Sequence, residues 1–261
     1  MALIDWSEFR RYRELLYFLA ARDVKVRYKQ AALGAAWAVV QPLFTMLVFT
    51  FFFGKMAKIP SDGVPYPLFS FCGLVVWMYF ASTVSMASNS LVANASLITK
   101  VYFPRVFLPA AAAVGSLLDF GISLVVLFPL MAWYGVVPGP EALVAPAIAL
   151  IMVFFALGVS MILAAINVRF RDIKHVIPFG IQLWLFVTPV IYPMSFLPAD
   201  LRFIAALNPM AGIVENMRAA LLGTGPLNWG TLAASALMSV ASFVLGLLYF
   251  QRAERRFADI V

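Results

Sequence analysis

Four cations stand close together just ahead of a long apolar run: Arg22, Lys25, Arg27 and Lys29, within Arg22-Asp23-Val24-Lys25-Val26-Arg27-Tyr28-Lys29. Cations so placed can do two kinds of chemistry. They can attract anionic headgroups at a membrane surface and fix topology, or they can grip the phosphate of a lipid-borne ligand. Spacing alone leaves both readings open. A second candidate is Asp119, the only acid near the middle of an apolar stretch. An acid at that depth marks either a transport path or a buried hydrogen bond between helices. Proton coupling would need an ionisable partner, which the apolar stretches do not offer. A third candidate is a polar stripe at helical spacing, Ser82, Ser85, Asn89 and Ser96, with Thr83, Ser88 and Asn94 alongside. Such a stripe faces other protein or a water-filled path, not lipid.

Several chemistries are missing from the sequence. There is no G-x-x-x-x-G-K-[ST] loop for nucleotide phosphates, no H-E-x-x-H and no G-x-S-x-G. No Asp-x-Asp pair is present, and Cys72 is the single cysteine. The single histidine, His175, adjoins Lys174 in a basic segment and reads as a solvated interfacial side chain. The expectation is a chain with no catalytic residue, no metal site and no cofactor of its own. Any active transport would draw its energy from a partner or an ion gradient.

The elements that must position these residues follow from composition. Of 261 residues, 64% are apolar and 12% charged, and the mean hydropathy is +0.94. The charged share is roughly half the ~25% of a soluble domain. This excludes a water-soluble globule, a disordered chain and a coiled coil. The apolar residues run together rather than alternate, which argues against a porin-type barrel. The fold class is therefore an all-α integral membrane protein. A span needs about 20 residues, and six transmembrane helices are predicted at 32–54, 68–92, 107–134, 143–166, 176–194 and 230–250. Residues 1–30 read as a cytoplasmic interfacial helix and basic segment, 31–251 as one membrane domain and 252–261 as a cytoplasmic tail. The first 30 residues carry seven Lys/Arg and show no secretory signal.

Charge placement orients the spans. Of the 19 Lys/Arg, 15 fall in residues 1–30, in 95–106 (Lys100, Arg105), in 167–175 (Arg169, Arg171, Lys174) and at the C-terminus (Arg252, Arg255, Arg256). Only Lys55, Lys58, Arg202 and Arg218 lie on the other side. The positive-inside rule then makes both termini cytoplasmic. The net charge of +7 is thus a topology signal rather than a sign of nucleic-acid binding.

Some segments depart from a plain bundle. Asp5–Arg22 mixes Trp6, Phe9, Tyr12, Leu16 and Leu19 with Arg10, Arg11, Arg13 and Glu14, the pattern of a helix lying along the inner leaflet. Pro42 in Gln41-Pro42 removes a backbone donor and kinks the first span. After the fifth span come Thr188-Pro189-Val190-Ile191-Tyr192-Pro193, Pro198 and Asn208-Pro209. The apolar stretches Asp200–Leu207 and Ala211–Leu222 are each too short to cross and read as two short re-entrant helices from the outer face. They are the sequence's pointer to an outer gate.

Taken together, these blocks resemble the membrane subunits of polysaccharide ABC exporters, the ABC-2-type permeases for O-antigen (lipopolysaccharide), capsule or teichoic acid chains. The likeness rests on residues 22–30 followed by Leu33-Gly34, Trp37 and Gln41-Pro42-Leu43; on Pro65-Tyr66-Pro67; and on Asn94 through Arg105. It continues through Asn167-Val168-Arg169-Phe170-Arg171-Asp172, Thr188 through Pro193 and Leu207-Asn208-Pro209-Met210. It runs from about residue 10 to 256 and is strongest for the O-antigen type.

The resemblance implies a homodimer paired with two copies of a nucleotide-binding ABC ATPase, which would hold ATP and magnesium. It implies a place in the bacterial inner membrane and a polysaccharide substrate on undecaprenyl diphosphate, met by Arg22, Lys25, Arg27 and Lys29. A cytoplasmic coupling helix would span Ala95–Arg105, with Leu97, Ile98, Lys100, Tyr102, Phe103 and Arg105 as contacts. A sugar path needs aromatic faces and hydrogen-bonding groups, for which Gln41, Phe44, Ser82, Ser85, Asn89, Asp119 and Trp184 are the candidates. The two short helices would form a periplasmic gate with Tyr192, Phe196, Asn208, Pro209 and Glu215. Two other readings share parts of the pattern: an ABC-2 permease exporting a drug or small lipid, and a gradient-driven flippase or membrane enzyme.

Overall fold

The computed structural model of the chain describes residues 12–29, 34–101, 103–170 and 172–254. Trp6, Phe9, Arg10, Arg11, Leu33, Tyr102, Arg171, Arg255 and Arg256, all used above, lie outside the described residues. Those described are helical or in turns, and none forms a strand.

Helix α1 (Arg13–Lys29) contains no glycine or proline, so it runs unbroken through the basic segment expected to follow an interfacial helix. Glu14 in its first turn and Arg27 and Lys29 in its last suit the helix dipole. Leu15, Leu16, Leu19 and Ala20 pack it onto an apolar cluster with Ile98, Phe103, Phe107, Leu108 and Ala111. A turn at Gly34–Ala36 leads into α2 (Trp37–Phe49), which continues as a wider helical turn over Thr50–Met56. Helix α3 (Tyr66–Ala93) is the most enclosed of the long apolar helices. Helix α4 (Ala95–Lys100) is short; α5 is Phe107–Trp133, and α6 is Ala145–Arg169 after a tight turn at Pro140–Val144.

Then come α7 (Ile173–Val187), α8 (Ala199–Ala206), α9 (Pro209–Leu222) and α10 (Trp229–Glu254). Helices α6 and α10 cross where Gly158 meets Gly246. A Cβ on either would run into the other helix's backbone, so the contact requires glycine.

Among the described residues, five helices are long and apolar enough to cross a membrane: Trp37–Met56, Tyr66–Ala93, Phe107–Trp133, Pro140–Arg169 and Trp229–Glu254. The segment expected to span 176–194 differs. Its helix α7 has 15 residues, about 22 Å at ~1.5 Å per residue, short of the ~30 Å hydrocarbon core. It stops at Thr188, which takes an extended conformation (φ −92°, ψ 135°) because Pro189 follows. Both stretches expected to be short helices are helical. Helix α8 is exposed along Leu201, Phe203 and Ile204, whereas α9 is buried over nearly its whole length.

Candidate functional site

Helices α1, α2, α3 and α5 enclose a cavity of about 610 Å³. Its wall includes Arg27 and Tyr28 from α1, Trp37 and Gln41 from α2, Tyr79, Ser82 and Met86 from α3, and Asp119, Phe120 and Ser123 from α5. The volume falls within the range of small-molecule sites, which run to about 1,000 Å³. It suits a headgroup rather than a polymer in transit.

The local chemistry explains why the wall forms. Pro42 has no N–H to give the carbonyl of Ala38 one turn earlier. The Ser123 hydroxyl donates to that carbonyl instead, at 3.0 Å. The kink in α2 is thus satisfied by α5, as an apolar setting demands. On the other side, Val24 and Arg27 of α1 come close to α5 at Gly115. One turn on from Gly115 lies Asp119. Its carboxylate accepts a charge-assisted hydrogen bond from the Arg27 guanidinium and another from the Tyr28 hydroxyl. The Arg27 and Asp119 side chains are each 23% exposed, so the pair is reachable from the cavity and not sealed. Burial and the Asp119 carboxylate push the Tyr28 phenol up to about 12, so it stays protonated and acts as a donor.

The other cations are placed differently. Lys25 and Lys29 are exposed, and exposed Arg22 bonds its sequence neighbour Asp23 at 2.8 Å. Of the path residues expected from sequence, Gln41, Ser82 and Asp119 line the cavity. Phe44 lies on the outer face of α2, 66% exposed. Asn89 ties α3 to α6: its side-chain oxygen accepts from Asn167 of α6 at 3.1 Å, while its amide donates within α3 to the Ser85 carbonyl at 2.7 Å. Trp184 packs edge-on against Phe80 and Phe155 and donates its indole N–H to Asn208 at 3.2 Å, away from the cavity.

At the segment expected to contact an ATPase, the helix ends at Lys100 rather than Arg105 because Val101 turns extended. Ile98 and Phe103 are buried, Leu97 is half-buried, and Arg105 is held by Glu254 at the end of α10 (Arg105 N–H to Glu254 Oε1, 3.1 Å; Arg105 Nη1 to Glu254 O, 2.7 Å). Lys100 is left at the surface beside Thr99 and Val101.

At the other end, Asn208 caps α9. Its side-chain oxygen accepts the Met210 N–H at 3.1 Å, its amide donates to Thr188 at 2.9 Å, and Pro209 occupies the first helical position. The Tyr192 hydroxyl donates to the Phe186 carbonyl at 3.0 Å, and Phe196 is exposed. Burial raises the Glu215 carboxyl above its usual range, with Asp62 adding to the effect.

Sequence reasoning missed four participants: Tyr28, Trp37 and Ser123 at the cavity, and Arg218 on α9. Ser123 follows Asp119 by one helical turn, a spacing that could have flagged it. Arg218 was counted among the outward-side cations, yet it is 3% exposed. Its guanidinium donates to the carbonyls of Phe69 (3.0 Å), Pro189 (2.7 Å) and Val190 (2.5 Å) and stacks 3.5 Å from the centre of the Phe69 ring.

A sequence profile of the ABC-2 type transporter family matches residues 14–222. The chain is 33% identical to the O-antigen export system permease protein RfbA of Myxococcus xanthus, over 97% of this chain and 98% of that protein. A Klebsiella pneumoniae protein of the same name is 31% identical over 95% of each chain. The polysialic acid transport protein KpsM of Escherichia coli is 20% identical over 90% of this chain and 92% of its own length.

Proposed function

The chain belongs to the ABC-2 type transporter family, and on that premise we propose that it is the membrane-spanning permease subunit of an exporter for undecaprenyl-diphosphate-linked polysaccharide of the O-antigen type. The observation that carries the reading is the cavity. It sets a guanidinium and a phenol beside an indole, a second phenol and several hydroxyl or amide groups. A lipid diphosphate needs the cation, and the first sugars need aromatic faces and hydrogen-bonding groups. The relatives' names point to the same class of cargo.

The rest of the machine follows from the same premise. The chain has no phosphate-binding loop of its own. ATP and magnesium would therefore sit in a separate ABC ATPase, present in two copies and pressing on the surface around Lys100. The permease would itself pair as a homodimer in the bacterial inner membrane. The most exposed of the long helices, α2 with its continuation through Met56, offers Val40, Phe44, Leu47 and Phe51 for that purpose. Helix α7 with the buried stretch Thr188–Ile191 would complete a sixth crossing, irregular where protein covers it. Both termini would then be cytoplasmic, with α8 and α9 as the periplasmic gate.

Deleting the gene tests this directly. Lipid-linked polymer should accumulate at the cytoplasmic face and disappear from the cell surface, and the cloned chain should restore it. Normal surface polymer in the deletion strain would refute the proposal. Drug sensitivity with an intact surface glycan would point to the small-molecule alternative. The purified chain should hydrolyse ATP only when joined by its ATPase.

A further inference from the structure

Among the four basic side chains of the 22–29 segment, Arg27 is the one that lines the cavity, and it is already engaged. A part-buried guanidinium facing an apolar-walled cavity is favoured when an anion accompanies it. Asp119 supplies that anion from across the helix interface, and Tyr28 adds a donor to the same carboxylate.

We propose that Asp119 is a resident stand-in for the lipid diphosphate: it holds Arg27 and Tyr28 at the cavity wall while the site is empty and surrenders both donors when the diphosphate arrives. The proposal rests on the polysaccharide-exporter reading and adds how its phosphate site is kept ready and emptied.

The chemistry favours the exchange in one direction only. A guanidinium accommodates a phosphate by two parallel hydrogen bonds, and a diphosphate carries more charge than one carboxylate. A neutral lipid offers nothing to replace the carboxylate, so the pair stays closed to it. That makes Asp119 a specificity residue as well as a placeholder. Once displaced, the carboxylate sits beside the bound diphosphate and repels it, which hastens release. Asp119 thus costs affinity and supports turnover. An ion pair serving only to tie α1 to α5 would do the opposite, since its loss would loosen Arg27 and weaken binding.

The test measures binding of undecaprenyl diphosphate, with undecaprenyl monophosphate and undecaprenol for comparison, to the permease assembled with its ATPase in lipid nanodiscs. Asp119→Asn should bind the diphosphate up to about fivefold more tightly than wild type, the scale of a partly exposed ion pair. It should also export more slowly. Arg27→Gln should bind about tenfold more weakly, and the double variant should bind less tightly than Asp119→Asn alone, because the freed Arg27 is what grips the phosphate. Weaker or unchanged binding in Asp119→Asn, with Arg27→Gln impaired, would overturn the exchange while leaving Arg27 as the phosphate site. Wild-type binding in Arg27→Gln would overturn the phosphate site itself. If Asp119→Asn does not assemble with the ATPase, Asp119→Ser, which also removes the charge, provides the same comparison.

Discussion

Two arginines are held within this apolar chain, and their surroundings differ in kind. Arg27 stands at a cavity, part-exposed, with a carboxylate from another helix as its partner. Arg218 is enclosed and satisfied by three backbone carbonyls. A carboxylate can be exchanged for another anion, and the cavity gives that anion room to arrive. Carbonyls of a fixed backbone offer no such exchange. Two of them, those of Pro189 and Val190, are also the groups that would be left unpaired where α7 ends early at Thr188. Arg218 therefore fastens the irregular segment after α7 to α3 and α9. Gly73 is part of that fastening, because a Cβ there would strike the guanidinium. The lesson is that a buried cation's role is set by whether its partner can leave, not by the charge itself.

The contrast can be broken first at Arg218. Arg218→Ala would leave the buried Pro189 and Val190 carbonyls unsatisfied, and the expected loss is about 3 kcal/mol or more. It should show as a large fall in thermal unfolding temperature and in yield of monodisperse protein. Arg218→Lys keeps the charge but not the planar fork, so it should recover only part of the loss. Stability equal to wild type in Arg218→Ala would place Arg218 among the exchangeable cations.

Arg27→Gln should behave in the opposite manner. Folding and ATPase assembly should survive, since the pair is partly solvated and contributes about 1 kcal/mol or less to stability. Surface polymer should nonetheless fall by about tenfold or more. A variant that failed to insert would mark Arg27 as a topology anchor instead.

The smallest effect is expected at the exposed cations. Lys25→Gln and Lys29→Gln remove charges that face outward. They should lower export by about twofold at low ionic strength and less at high salt, where surface charges are screened. A loss as deep as that of Arg27→Gln would move the phosphate site from the cavity to the helix surface.

How far the molecule could be read from its sequence follows the same physics. Long apolar runs betray spans because lipid forces helices on them, and the short helices after residue 198 were legible because prolines punctuate them. The stop at Thr188 was written in Thr188-Pro189, but the continuing apolar run to residue 194 masked it. Asp119 stood out as a lone acid, yet its partners lie more than 90 positions away, beyond any local pattern. The Arg27–Asp119 pair depends on α1 lying across α5, which no periodicity in either helix announces. The fate of Ile98 and Phe103 was hidden for a similar reason: they are buried in a cluster gathered from α1, α3, α5, α6 and α10. Arg218 was misread because cations between spans ordinarily face water, and only the packing of α9 reveals otherwise.

The most direct measurement of the central claim places a photocrosslinking amino acid at position 82, on the wall of the cavity that Arg27 and Asp119 also line. The complex, its ATPase inactivated, is then exposed to undecaprenyl-diphosphate oligosaccharide. The expected result is a covalent adduct to the lipid-linked sugar that is lost in Arg27→Gln and strengthened in Asp119→Asn. An adduct of undiminished intensity in Arg27→Gln would contradict it. So would the absence of any adduct in a variant that still exports polymer when its ATPase is active.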